Sequence, residues 1–553
     1  MTDPFQVLDL KTKKAVVYAL FEEVERNIFK CKQCEQRIRQ NTGKGHTSLQ
    51  THFTSKHKND IQNYIESVRS GAPMIDTVFP GTDKSRNIRN MLIGIVTNNL
   101  PFTCVEDKWF RANLNFDMKF GRKLISKSVT LMYKWVVNQI SEVLPDNIGI
   151  IMDGWESPMH VHYYGVYACY PNEVEDKVLT KYMFLGMCIS NKDSQGSWAA
   201  KEDLKTLLTR YRKDSKNVSF IISDHAPSMP CLVIMLSREL PLGETIPFLG
   251  CQSHRLDLVA KAIGSMFKEA IDAVSNINTF ILDHKNYLNK YNNLANTNPK
   301  KRNKTRWDST DKMMDNYVKN RDSLIIAGNR VDEDTTTAHD IKRKYRILRE
   351  EVEIHYDDII LYQTLMERLS MERLRNIFQG EQDVHIARTH HYFNQIETIF
   401  TALVQEYPTL QNIDHNKFLK YASSDEYVKN LTYLDHKAFY RGILLVKENK
   451  ENELTDDMKK SLKFLLRNPQ NNNNNDDNNN NNNDDHQLRD YEEPKPNTLY
   501  KCVRWIPTTS CVVERLFSTA RCIIGQQRMR LGAEKVNELL FLKLNLASWE
   551  KHS

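Results

Sequence analysis

The chain has 553 residues, with 77 Lys plus Arg against 70 Asp plus Glu, 40% hydrophobic and 27% charged residues, and a formal net charge of +7. At roughly 150 residues per domain this length predicts about three or four domains with at least one large core, which excludes a small disulfide-stapled scaffold and a highly charged disordered chain. The modest positive balance permits an acidic partner such as nucleic acid without identifying one, so the placement of charge matters more than its sum.

The chain starts MTDPFQVLDLKTKK, with no apolar signal sequence, and its longest apolar runs, such as FLGMC and IGIIM, are far below a membrane span; both predict a soluble intracellular protein with no membrane partner. The ten Cys are scattered and only Cys31 and Cys34 form a close pair, which suits a reducing compartment and a metal site at that pair.

Residues 1–60 form the first predicted unit. Cys31, Cys34, His52 and His57 stand as C-x2-C followed by H-x4-H. Two thiolates and two imidazoles at these separations can close a tetrahedral zinc shell, and in so small a unit the metal would provide much of the folding free energy. Phe29, Leu49 and Phe53 offer a small apolar core. Lys30, Lys32, Arg37, Arg39, Lys44, Lys56 and Lys58 face a single acid, Glu35, over this stretch, and are predicted to contact phosphates. With VVYALF ahead of it, the unit resembles a BED-type zinc finger, a DNA-binding module of transposases and chromatin proteins; Tyr18 and Phe21 stand where that family usually has Trp.

Residues 61–145 read as helical, with broad apolar faces in NMLIGIVTNNLPF and LISKSVTLMYKWVVNQI and a break at Pro101; core packing or subunit contact is the expectation. From 146 to 258 the pattern changes. IGIIMD, HYYGVYACY, KYMFLGMCIS, SFIISD and TIPFLGC read as strands, with EDLKTLLTRYR and the stretch 229–239 as helices, which predicts a mixed sheet with helices against it, an α/β layer. Residues 259–465 carry helical periodicity almost throughout and read as an inserted all-helical domain. The Asn/Asp tract from Asn471 to Asp485 cannot supply a core, and 466–492 reads as a disordered linker. Residues 493–553 return to order with two apolar helices, ERLFSTARCII and KVNELLFLKLNLASW.

Asp153 and Asp224 sit at the ends of predicted strands. On adjacent strands their repulsion would be relieved by divalent cations, and two Mg²⁺ ions held by carboxylates would suit phosphoryl transfer. Glu514, at the start of ERLFSTA, is the best third carboxylate. Spacing alone leaves open that a strand-end Asp caps a turn or helix instead.

Ordered motifs carry a wider resemblance: LPFTCVEDKWF at 100–110, IIMDGWESP at 150–158, IISDHAPSM at 221–229, LGCQSHRLDLV at 249–259, TRWDST at 305–310, and SCVVERLFSTA through RMRLGAEKVNELLFLKLN at 510–545. In these the chain resembles transposases of the hAT superfamily. The resemblance implies an RNase H-like fold interrupted by the helical insertion, with the acidic triad on Asp153, Asp224 and Glu514 binding Mg²⁺ or Mn²⁺. It also implies DNA contacts from Arg306 and Trp307, a Cys-x2-His element at Cys251 and His254 that contacts DNA or supports the site, and dimerisation through Val536, Leu539, Leu540 and Leu544. His225 and Ser228 depart from the Asn residues usual there. Two functions in different classes follow: a nuclear, metal-dependent transposase acting as a homo-oligomer on double-stranded DNA such as terminal inverted repeats, or a domesticated DNA-binding dimer regulating transcription or chromatin without catalysis.

Overall fold

The structure, a computed structural model, describes residues 20–25, 27–32, 34–40, 47–57, 83–113, 121–157, 160–174, 177–190, 197–295, 297–303, 307–380, 385–412, 415–431, 434–466, 505–524 and 531–547. Lys44, Lys58, Arg306 and the Asn/Asp tract lie outside them.

Three short strands, β1 (Phe21–Glu25), β2 (Ile28–Cys31) and β3 (Arg37–Arg39), form an antiparallel sheet followed by α1 (Thr47–Lys56). Next come α2 (Asp83–Thr97), a 3₁₀ turn at Phe102–Glu106 that starts after Pro101, α3 (Lys108–Asn113) and α4 (Arg122–Val143). The second sheet contains β4 (Ile148–Glu156), β5 (His162–Val174), β6 (Lys177–Ser190), β7 (Val218–Ser223) and β8 (Phe248–Gly250) in the order β6-β5-β4-β7-β8. Helix α5 (Ser197–Thr209) precedes β7, and α6 (Ser228–Ser237) joins β7 to β8. Every residue of β7 is buried, the small polar Ser219 and Ser223 included, as in a strand covered on both faces. Strand β8 lies parallel to β7, with Ile222 opposite Leu249. It is shorter than TIPFLGC predicts: Pro247 offers its carbonyl to the Ile221 amide, at 2.9 Å, but has no N–H to extend the ladder. The result is a mixed sheet accompanied by many helices, an α/β fold with helical insertions. No described helix is long and apolar enough to cross a membrane.

The chain divides into two compact units. The first comprises residues 1–168, 182–218 and 513–553. Its last two helices, α19 (Cys511–Ile524, from Val513 onward in this unit) and α20 (Ala533–Leu544), complete its core. Val536, Leu539, Leu540, Phe541 and Leu542 are buried, and Phe541 meets Tyr133 of α4 edge to face at 4.9 Å. Polar groups fix the register of α20: Asn545 Nδ2 donates to the Phe184 carbonyl, and Lys543 donates to the Thr97 carbonyl and Asn99, each at 2.9 Å. Helix α19 passes so close to β5 that a Cβ at Gly165 would lie 2.4 Å from Leu516 and 2.7 Å from Val513, which explains the glycine.

The second unit comprises residues 169–181 and 219–512. From α7 (Gln252–Met266) and α8 (Lys268–Asp283) it continues through α9 (Lys285–Asn292), α10 (Trp307–Asp332), α11 (His339–Ile354), α12 (Tyr356–Arg368), α13 (Met371–Gln379), α14 (Ile386–Glu406), α15 (His415–Ala422), α16 (Ser424–Asn430), α17 (Leu434–Lys447) and α18 (Asp456–Ser461). One continuous apolar cluster runs from Leu256 to Ala422. Returning residues 505–510 run past the start of α7, where the Gln252 amide donates to the Thr508 carbonyl at 2.8 Å.

Candidate metal centre and acidic residues

In the N-terminal unit the β1–β2 register sets Phe21 opposite Cys31 and Glu23 opposite Phe29. Cys31 and Cys34 bracket a tight knuckle in which the Glu35 amide donates to the Cys31 carbonyl and the Cys31 amide to the Gln36 carbonyl, both at 2.9 Å. Glu35 there adopts a φ of 58°. On α1, Leu49, His52 and Phe53 share one face at i, i+3 and i+4, and all three are buried. Phe21 closes this small core, edge to face with Phe53 at 5.7 Å.

The geometry brings together all four predicted ligands. The Sγ and Nε2 or Nδ1 atoms of Cys31, Cys34, His52 and His57 lie within 4.8 Å of one another. Cys34 Sγ is 3.3 Å from His52 Nε2, and Cys31 Sγ is 3.7 Å from His57 Nε2. With Zn–S of about 2.3 Å and Zn–N of about 2.0 Å, a tetrahedron spaces sulfur and nitrogen ligands about 3.5 Å apart. The donor set therefore fits a structural zinc ion. Burial pushes the His52 imidazole below its ordinary pKa, with His57 and Lys56 adding to the effect, which favours the neutral ligand form.

The basic residues of this unit are not equally available. Lys30 is paired with Glu35 at 2.9 Å and Arg37 with Glu25 at 3.8 Å, whereas Lys32, Arg39 and Lys56 are exposed.

Asp153 and Trp155 lie on the same face of β4, alternating with exposed Gly154 and Glu156. Asp153 Oδ1 accepts from the Gly154 amide at 2.8 Å. Trp155 stacks on Phe517 of α19 at 5.5 Å, and exposed Glu514 lies three residues, one helical turn, before Phe517. Asp153 and Glu514 thus each flank one member of the same aromatic stack.

In the second unit Asp224 follows β7 directly, and its Oδ1 accepts from the Ala226 amide at 3.2 Å in the turn leading to α6. Next to it, His225 Nε2 lies 3.0 Å from the Tyr427 hydroxyl, and its ring stacks on His254 at 5.6 Å. Burial, reinforced by His254 and Arg255, lowers the His225 pKa to about 3, so the ring is neutral. His225 leaves no room on β8: a Cβ at Gly250 would lie 2.2 Å from its Nε2. Cys251 is buried, with its Sγ accepting from the Ser510 amide at 3.3 Å. Trp307 is the first residue of α10.

Sequence reasoning passed over Arg255. It is fully buried, donating to the carbonyls of Tyr421, Ala422 and Ser423 and to Gln252 Oε1. Its guanidinium lies 3.6 Å from the Phe393 ring centroid and 4.0 Å from that of Tyr427. The available signal was its position on the apolar stripe of α7 beside Leu256 and Val259, where a charge demands partners.

No match was found among curated proteins. Residues 498–546, which include all of α19 and α20, match the family model described as the hAT family C-terminal dimerisation region. That match supports oligomerisation through the returning C-terminal segment and, with the Cys/His cluster, is consistent with kinship to the hAT superfamily.

Proposed function

We propose that the protein is a nuclear hAT-like transposase that engages double-stranded DNA through a BED-type zinc finger and cuts and transfers strands at Asp153, Asp224 and Glu514. The observation that carries this reading is the hAT dimerisation match at 498–546 in the same chain as a four-ligand zinc cluster. The position of Asp153 and Glu514 beside the Trp155–Phe517 stack and the mixed five-stranded order support an RNase H-like catalytic fold interrupted by the helical insertion. Three carboxylates suit Mg²⁺ or Mn²⁺, whose bound form supplies Lewis-acid stabilisation of phosphoryl oxygens. Arg306, Trp307 and His254 contribute DNA contacts in this reading, and the finger's exposed Lys32, Arg39 and Lys56 meet backbone phosphates.

The test incubates the purified full chain with Mg²⁺ or Mn²⁺ and duplex DNA carrying the repeats that flank its gene. Wild type should nick this DNA, while Asp153→Asn, Asp224→Asn and Glu514→Gln should bind it but cleave at background. Equal cleavage by every form refutes the assignment of these carboxylates. Binding without cleavage by wild type in either metal refutes the catalytic reading and leaves a DNA-binding dimer.

A further inference from the structure

The second unit contains a cavity of about 230 Å³ lined by Lys261, Ser265, Lys268, Arg302, Thr310 and Tyr362, together with apolar groups from α7 and α8. Lys417 of α15 reaches its edge and donates to Ser265 Oγ at 3.3 Å. Four cations and three hydroxyls therefore converge on one small space, and among the described residues its lining holds no carboxylate.

The cations are only partly neutralised. Lys261 is paired with Asp257 at 2.5 Å, and Arg302 Nη1 with Asp272 at 2.9 Å. Lys268 has no ion pair among the described residues, and Lys417 has only its bond to Ser265. Arg302 Nε is buried without a hydrogen-bond partner among the described residues, a donor that the Asp272 pair leaves unsatisfied. Helix α8, 16 residues long, starts at this cavity with no side-chain cap, but exposed Glu269 in its first turn and the last carbonyls of α7 offset the partial positive charge of its first amides, so the side-chain cations carry the site.

We propose that this cavity binds a phosphate group, supplied by the backbone of DNA. A tetrahedral oxyanion matches what is present: an Arg edge, Lys ammoniums as point charges, and hydroxyls from Thr310 and Tyr362 as donors, while Ser265, whose hydroxyl donates to the Ala262 carbonyl, accepts from Lys417 at the edge. The exposed ammoniums of Lys268 and Lys417 form the rim, where a strand can approach without opening the unit. The site deepens the DNA-binding reading and rests on it only for the source of the phosphate, since free inorganic phosphate offers the same chemistry.

The experiment compares the full-length wild type with Lys268→Gln/Lys417→Gln and with a control pair, Lys285→Gln/Lys290→Gln, that removes equal charge from α9. Anisotropy of a labelled duplex across a salt series should give a slope of log affinity against log salt lower by about one in the cavity variant, with affinity reduced on every sequence, and a smaller change in the control. Inorganic phosphate should raise the melting temperature of wild type and control but not of the cavity variant. A phosphate-dependent shift with an unchanged DNA slope overturns DNA as the source and leaves a free-phosphate site. Equal slope changes in both variants, or no slope change and no phosphate shift, overturn the proposal. If wild type fails to bind DNA at all, the DNA-binding reading fails, and the phosphate shift alone decides whether the cavity is an anion site.

Discussion

Asn537 Oδ1 accepts a hydrogen bond from the backbone amide of Met187 at 2.8 Å, joining residues 350 positions apart in sequence. It sits where Gly186 of β6 has a φ of +144°, with a Cβ there 3.4 Å from Asn537 Oδ1. The side chain thus supplies a buried strand amide with its partner, and α20 is keyed to the sheet by a polar contact as well as by its apolar face. Asn537→Ala should cost about 1–3 kcal/mol, the penalty for leaving that donor unsatisfied. Urea unfolding measures it, and amide exchange at Met187 should accelerate; a change below about 0.5 kcal/mol would contradict the assigned role.

Metal removal should act locally. Structural zinc supplies most of the folding free energy of a unit this small, so chelation or Cys34→Ser should abolish amide protection over residues 20–57 while 121–157 and 252–295 keep theirs. Hydrogen exchange with mass spectrometry, alongside zinc content of the purified chain, checks this. Protection in the finger that survives quantitative zinc loss would show that the Phe21, Leu49 and Phe53 core suffices alone.

Asp311 gives a pH dependence of defined sign. Burial, with Asp315 and Glu372 adding to it against the weaker pull of Lys312 and Lys319, raises its carboxyl from 3.8 to about 6. The folded state therefore holds the proton more tightly than the unfolded state, so this stability is fully present below pH 3.8 and is lost as pH rises to about 6. Asp311→Asn should then stabilise the helical unit by about 1–3 kcal/mol at pH 7 and by little at pH 3.5. Thermal melts of both proteins at the two values provide the check; a gain of equal size at both would assign the effect to packing.

How far the sequence could be read follows from the range of each interaction. The zinc ligands were legible because a knuckle and one helix turn fix chelate geometry within 27 residues, from Cys31 to His57. Strand β7 was legible because burial on both faces favours an apolar core, Phe220 to Ile222, with only small serines beside it. By contrast, Arg255 finds its acceptors at Tyr421, Ala422 and Ser423, more than 160 residues away, and no local pattern encodes that pairing. The apolar stripe of α20 was visible too, but a stripe does not state what covers it; Asn537 and Phe541 show its buried face used within its own unit. Lys268 and Arg302 belong to one cavity only because α8 and residues 300–302 meet in space.

The closing role of α20 sets an order on the making of this protein. Residues 219–512, roughly 300 in number, are synthesised between β7 and the last segment of the first unit. At roughly 5–20 residues per second, translation leaves the first unit waiting roughly 15–60 s for its final helix. Throughout that interval the apolar surface that Tyr133 and Phe184 offer to Phe541 is uncovered on the nascent chain. The protein should consequently depend on chaperone shielding during its own translation, and a premature stop before Val536 leaves a nearly full-length product with its first core permanently open.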